Sequence, residues 1–214
     1  EPQIHEAFQI NAMKSLLKHL SWDRDVWNTR RDIKRFLEAG FANVREHPRT
    51  KHLNFPDPWP DSDIIEEIVE KACGQFVYAS TVLNFVAEKH SHPLEQLSII
   101  RGLKRVPQRH LPFKELDLLY EQILSSYPDP KKVVMILGTF ICLGGLDRLR
   151  RWNDHPCGPC IAVIEVLSGL QAGEVALVLR GMHSVLKIDN THIQILHTSF
   201  QDYLSDKSRS RRFY

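Results

Sequence analysis

Residues 161–204 read IAVIEVLSGLQAGEVALVLRGMHSVLKIDNTHIQILHTSFQDYL. Ile161 to Leu167 carries an apolar helical run, Ser168-Gly169 marks a turn, and Glu174 to Met182 reads as a second helix. The rhythm then changes. Ser184 to Ile188 and His192 to Leu196 are strand-like, and Asp189-Asn190-Thr191 between them is a turn signal. Phe200, Tyr203 and Leu204 open a final helix.

Helix, turn, helix and then a two-stranded hairpin is the order of a winged-helix domain. Toward the N-terminus the chain reads as helices alone. Val26, Ile33, Phe36, Leu37, Phe41 and Val44 fall near helical spacing. Pro48, Pro56, Pro58 and Pro60 make residues 47–60 a loop. Asp61, Ser62 and Asp63 then cap a helix carrying Ile64, Ile65, Ile68, Val69 and Ala72. Gly74 interrupts it, and Phe76, Ala79, Val82, Leu83 and Val86 resume the stripe. Leu94 to Leu103 marks a short helix. Phe113 to Tyr127 keeps helical spacing over four turns, and Pro128 stops it. Asp129-Pro130 reads as a cap with proline at the first helical position, and Lys131 to Leu143, apolar nearly all round, reads as a core helix. The expected fold is therefore mainly α. A multi-helix domain over 23–127, preceded by the remnant of another domain at 1–22, leads into a winged-helix domain with a small β-hairpin wing over 128–214.

The totals exclude several classes. Lys and Arg number 28 against 26 Asp and Glu, so there is no general pull toward nucleic acid or an anionic membrane. Lys207, Arg209, Arg211 and Arg212 form a local basic excess that reads as a solvated tail. The four cysteines are too sparse for a disulfide scaffold and point to a reducing, cytoplasmic setting. Cys73 and Cys142 sit in apolar helical patterns and read as small buried hydrophobes. No signal peptide is visible, and Val133 to Leu146 is too short to span a bilayer. Glu1 in place of an initiator Met suggests a segment of a longer reading frame.

Four stretches carry a family likeness: Glu1-Pro2-Gln3-Ile4, Ala72-Cys73-Gly74-Gln75-Phe76-Val77-Tyr78-Ala79-Ser80-Thr81, Pro112-Phe113-Lys114-Glu115-Leu116-Asp117-Leu118-Leu119-Tyr120, and Leu196-His197-Thr198-Ser199-Phe200-Gln201-Asp202-Tyr203-Leu204. In this order they resemble the region that follows the nucleotide-binding core in fungal NACHT proteins, NLR-like signalling NTPases of the STAND class. The resemblance implies the end of that core, a helical domain and a winged-helix domain. It implies a switch in which ADP holds the winged-helix domain against the core, and ATP exchange (or GTP) releases it for assembly into a homo-oligomer, in a signalling or innate-immunity role. The phosphate-binding loop and the magnesium-binding strand are absent from these residues, so the chain alone is not expected to be an enzyme or to need a cofactor. Its expected partner is the upstream nucleotide-binding core, with no nucleic acid and no membrane.

The likeness also nominates residues. A winged-helix histidine at this motif contacts the ADP phosphate, which assigns that role to His197. A strand giving way to a helix there, with Thr198 and Ser199 as cap candidates, suits anion binding; the plainer reading is a packed histidine bonded to backbone. Related switches place a Gly-x-Pro on the adenine side, where this chain has Gly74 and Phe76; the plainer reading is a kink with Phe76 in the core.

Two other classes stand beside this one. Cys157-Gly158-Pro159-Cys160 spells a thioredoxin-like motif, so Cys157 and Cys160 could exchange disulfides, although Arg148 to His155 is too charged to be the buried strand that should precede it. The same thiols with His155 fall short of four zinc ligands. A winged helix could also bind DNA, with Glu174 to Met182 as recognition helix, yet that helix offers only Arg180 to a groove.

Overall fold

Ile33, Leu37, Phe41 and Val44 recur every three or four residues, and the stripe they form is buried along one long helix, α1 (Trp22–Glu46). The computed structural model describes residues 22–103, 113–144, 160–189 and 191–214, with side chains from residue 29 onward. Positions 1–21 of the expected remnant, Pro107, Pro112, His155 and Cys157 lie outside the described residues.

After the proline loop, whose Trp59 packs against Phe41 and Phe55, α2 (Ser62–Ala72) begins on the expected cap. Asp63 N–H donates to Asp61 Oδ1 at 3.3 Å. α1 and α2 are tied by Glu66, which accepts from Arg30 at 3.2 Å and from Lys34 at 2.5 Å. Cys73 (φ 47°) and Gly74 (φ 81°) then reverse the chain into α3 (Phe76–Val86). Two successive residues with positive φ end the helix outright, so Gly74 separates two helices where a kink was expected. α3 crosses α1 at Gly40, where a Cβ would overlap Leu83. Helices α4 (Pro93–Gly102) and α5 (Lys114–Ser125) complete this all-helical half.

In the second half, Asp129 Oδ1 accepts from Lys132 N–H at 3.0 Å and opens α6 (Pro130–Gly144) with proline first, as expected. Two short helices follow, α7 (Ile161–Leu167) and α8 (Glu174–Val178). The antiparallel hairpin of β1 (Leu186–Ile188) and β2 (Ile193–Ile195) sets Leu186 opposite Ile195 and Ile188 opposite Ile193. An isolated antiparallel bridge joins His192 to Cys160, just before α7, and Ile161 N–H donates to Thr191 O at 2.7 Å. The chain ends in α9 (Thr198–Ser205), α10 (Lys207–Ser210) and a 3-10 turn, Arg211–Phe213. The described chain is thus mainly helical with one two-stranded sheet, and none of its described helices is long and apolar enough to cross a membrane.

Several local expectations fail for identifiable reasons. Cys142 is exposed because α6 buries only the stripe of Val133, Ile136, Leu137 and Leu143; Met135 and Cys142 fall on the opposite side of the helix. α6 is therefore half-covered rather than a core helix. Cys73 is exposed because it is the cap residue that closes α2. α8 stops at Val178, short of the expected Met182, and the chain turns through Gly181 (φ 125°), where a Cβ would stand 3.1 Å from the Tyr127 hydroxyl. The basic tail is docked. Arg209 grips Asp117 with Nη2–Oδ1 at 2.6 Å and Nε–Oδ2 at 3.1 Å, Arg212 donates to Ser125 at 2.6 Å, and Phe213 is buried.

α8 has no side-chain cap of its own, since Gly173 precedes it. Glu165 of α7, only 6% exposed, supplies the missing acceptor; its Oε1 receives Gly173 N–H at 2.8 Å and Val175 N–H at 3.2 Å. Glu165→Ala is expected to destabilise the chain by about 2–3 kcal/mol, because charged acceptors of buried N–H groups cost more to lose than neutral ones. Glu165→Gln should lose less, with urea unfolding midpoints as the measure. Glu174 is held below the usual carboxylate range first by the Lys132 ammonium and then by Gln171 N–H. A carboxylate with a depressed folded pKa adds stability above its ordinary value and loses it as pH falls through the folded one. Glu174→Gln should therefore flatten the acid limb of stability below about pH 4.5 and leave the neutral region nearly level.

Candidate functional site

Three of the four segments that carry the family likeness are far apart in sequence and meet in space; Glu1 to Ile4 lies outside the described residues. α3 contributes Val77, Ser80, Thr81 and Asn84 to one wall of a cavity of about 70 Å³. Tyr120 of α5 and Ser184 and Val185, ahead of β1, form the next. Leu196, His197 and Phe200, at the junction of β2 and α9, close it. Its polar groups are hydroxyls, one amide and one imidazole, and among the described residues no Asp, Glu, Lys or Arg lines it.

His197 is exposed and occupies the cap position of α9 in extended backbone (φ −145°, ψ 135°). Its Nδ1 accepts from Ser199 N–H at 3.1 Å and lies 2.7 Å from Ser199 Oγ. Two donors of one serine converge on that nitrogen, so Nδ1 is the unprotonated acceptor and the ring proton of the neutral imidazole sits on Nε2. Ser199 is buried, and its Oγ is 2.8 Å from the Tyr120 hydroxyl. With Ser199 O–H donating to Nδ1, Tyr120 O–H donates to Ser199 Oγ. The order Tyr120 to Ser199 to His197 leaves Nε2–H as the donor that the site can offer a ligand. Backbone capping, the plainer reading of His197, thus describes Nδ1 alone.

Burial of Tyr120 against Phe200 (ring centroids 4.9 Å) and Tyr203 (5.5 Å) pushes its phenol up to about 12. It stays a hydroxyl donor at any physiological pH. One turn earlier on the same helix, Asp117 holds Arg209. α5 therefore fastens both α9 and α10, and through α9 it fixes the ring of His197.

Gly74 and Phe76 are not in this cavity. Phe76 is 44% exposed, and its ring meets Phe36 of α1 edge-on at 5.8 Å. The expectation of a core position fails because Phe76 is the first residue of α3, turned away from the buried stripe that begins at Tyr78. Gly74 has open space around it, with Thr29 Cγ2 at 4.0 Å the nearest atom to an added Cβ, so its positive φ alone explains the glycine.

The described residues of the rival classes, Cys160 and Arg180, fall elsewhere. Cys160 is the cap residue of α7, partly exposed and paired through its backbone with His192. Arg180 Nη2 lies 3.1 Å from His90 Nδ1, on the helical half of the chain. Next to it, Glu88 accepts His183 N–H at 3.2 Å, a second tie between the halves. Among the described residues no group of His, Cys, Asp and Glu is placed to hold a metal ion. Tyr120, Ser184 and Ser199 escaped the sequence reading of the site. Tyr120 and Ser199 stood inside quoted motifs but looked like stripe and cap residues, and Ser184 gave no signal at all.

No protein-family profile matches the chain, no curated protein does, and no solved structure does.

Tyr120→Phe removes one buried hydrogen bond and leaves the ring packing in place. It is expected to cost about 1–2 kcal/mol, because Ser199 Oγ then loses its donor. Denaturant unfolding should show this as a lower midpoint with an unchanged slope.

Proposed function

We propose that this chain is the helical and winged-helix part of a NACHT-type signalling NTPase, and that His197 is the residue through which nucleotide state reaches the rest of the molecule. The observation that carries the reading is the convergence just described. Segments 72–81, 112–120 and 196–204, singled out by likeness alone, each contribute to one cavity with His197 at its edge. The bridge from Cys160 to His192 also supports a winged helix, since it lays the hairpin back on the chain between α6 and α7, with α6, α7 and α8 as the three helices of the domain.

In this reading α1–α5 form the helical domain and the chain from α6 onward the winged-helix domain. The upstream nucleotide-binding core sits over His197 in the closed, ADP-bound form. Nε2–H then donates to a phosphate oxygen, a contact made only in that form, which biases the equilibrium toward it. ATP (or GTP) in its place releases the winged-helix domain, and the opened molecules assemble with one another in the cytosol. Phe76, accessible beside Phe36, is the group available on the base side. The chain itself catalyses nothing; hydrolysis belongs to the core.

The test uses the longer protein in which the nucleotide-binding core precedes this chain. His197→Ala should weaken ADP on the order of tenfold and leave ATP nearly unchanged, the size of an ordinary coupling between sites. Equal affinities for both nucleotides before and after the substitution would remove His197 from the switch.

A further inference from the structure

The turn after α1 and the segment joining α3 to α4 line a second, larger cavity of about 320 Å³, which shares no lining residue with the one beside His197. Its size falls at the lower end of small-molecule pockets, roughly 300–1,000 Å³. Arg49 comes from the turn, and Lys89 and His90 come from the joining segment. Leu53, Ala87 and Pro93 add apolar surface.

Charge sets this cavity apart. Elsewhere Arg30 and Lys34 are matched by Glu66, Lys132 by Glu174 and Arg209 by Asp117. Arg49 and Lys89 are exposed, and neither has a carboxylate within ion-pair distance among the described residues. The one carboxylate lining the cavity among those residues, Glu88, is 7% exposed and committed to backbone. Its Oε1 accepts Lys89 N–H at 2.8 Å and its Oε2 accepts His183 N–H at 3.2 Å. The cavity thus offers a guanidinium and an ammonium that no side chain answers.

We propose that this cavity binds a small phosphate ester with a sugar-sized body. The Arg49 fork matches phosphate oxygens, and Lys89 adds a point charge. The carbon body lies against Leu53, Ala87 and Pro93. The site uses neither His197 nor the nucleotide reading. Its position gives the ligand an effect, because Glu88 and His90 also reach the other half. Glu88 holds His183 N–H, and His90 Nδ1 lies 3.1 Å from Arg180 Nη2. A phosphate held by Arg49 and Lys89 clips the turn to the joining segment and restrains the residues that make both ties. Binding therefore favours the docked arrangement of the halves.

The experiment titrates this 214-residue chain calorimetrically, at physiological ionic strength, with glucose-6-phosphate, glucose and inorganic phosphate. It compares the wild type with Arg49→Ala, Lys89→Ala, Lys89→Arg and, as a remote exposed cation, Lys187→Ala. Every replaced side chain is exposed, so the unfolding midpoint in urea should stay level. The expected result is saturable binding of the sugar phosphate in the millimolar range and none of glucose. Either alanine in the cavity should weaken it on the order of tenfold, while Lys89→Arg and Lys187→Ala retain it. Hydrogen exchange of the His183 amide should slow on the order of tenfold with ligand at about ten times its Kd. Glucose binding as tightly as its phosphate, or an equal loss in Lys187→Ala, overturns the two cations as the recognition element. Inorganic phosphate binding as tightly as the ester assigns the cavity to free phosphate and overturns the ester. Binding with unchanged His183 exchange overturns the link to the ties. The absence of saturable binding well above millimolar ligand overturns the site.

Discussion

Tyr120 and Asp117, one turn apart on α5, hold the C-terminal helices by two different chemistries. Tyr120 reaches Ser199 through a buried hydrogen bond at 2.8 Å and packs on Phe200 and Tyr203. Asp117 takes a forked grip from Arg209. The apolar side of α5 is already committed, since Leu116, Leu119, Ile123 and Leu124 are all buried. The helix is thus fixed within its own half and offers its remaining polar groups to the other. Moving α9 and α10 away would expose the Tyr120 cluster and part a partly buried ion pair together. Such a contact has two states rather than a graded series, which is what a switch requires.

His197 inherits its properties from that contact. Its backbone caps α9, its Nδ1 is spent on Ser199, and Ser199 is in turn anchored by Tyr120 on the far side of the interface. The imidazole is held in this orientation only while α5 and α9 are together. In the proposed switch, nucleotide binding at His197 and docking of α9 on α5 would reinforce each other by ordinary linkage.

What could be read from the sequence was local. Asp61, Asp129 and Asp189 act within three residues of themselves; both helix caps are as expected, and Asp189 Oδ1 accepts from Thr191 and His192 N–H ahead of β2. The helical order and the hairpin followed from periodicity. Long-range pairing was not legible. Arg209 looked like part of a solvated tail because its partner lies 92 positions away. Glu165 serves as the cap of a helix ten residues downstream. Phe76 was placed in the core because it continues an apolar stripe on paper, yet as the first residue of α3 it projects beyond it. The site was half legible. His197 stood out by its motif, while Ser184, Ser199 and Tyr120 matter only because three separate segments fold against one another.

The central claim is that nucleotide state and the contact of α5 with α9 are one equilibrium. The most direct measurement is a pulsed-EPR distance between spin labels at the exposed positions Arg31 on α1 and Gln194 on β2, in the longer protein carrying the nucleotide-binding core. The account predicts a single short distance with ADP and a longer, broader distribution with ATP, and the short distance should lose population in Tyr120→Phe. The same distance with both nucleotides would mean that the two halves are a rigid body, and would contradict the account.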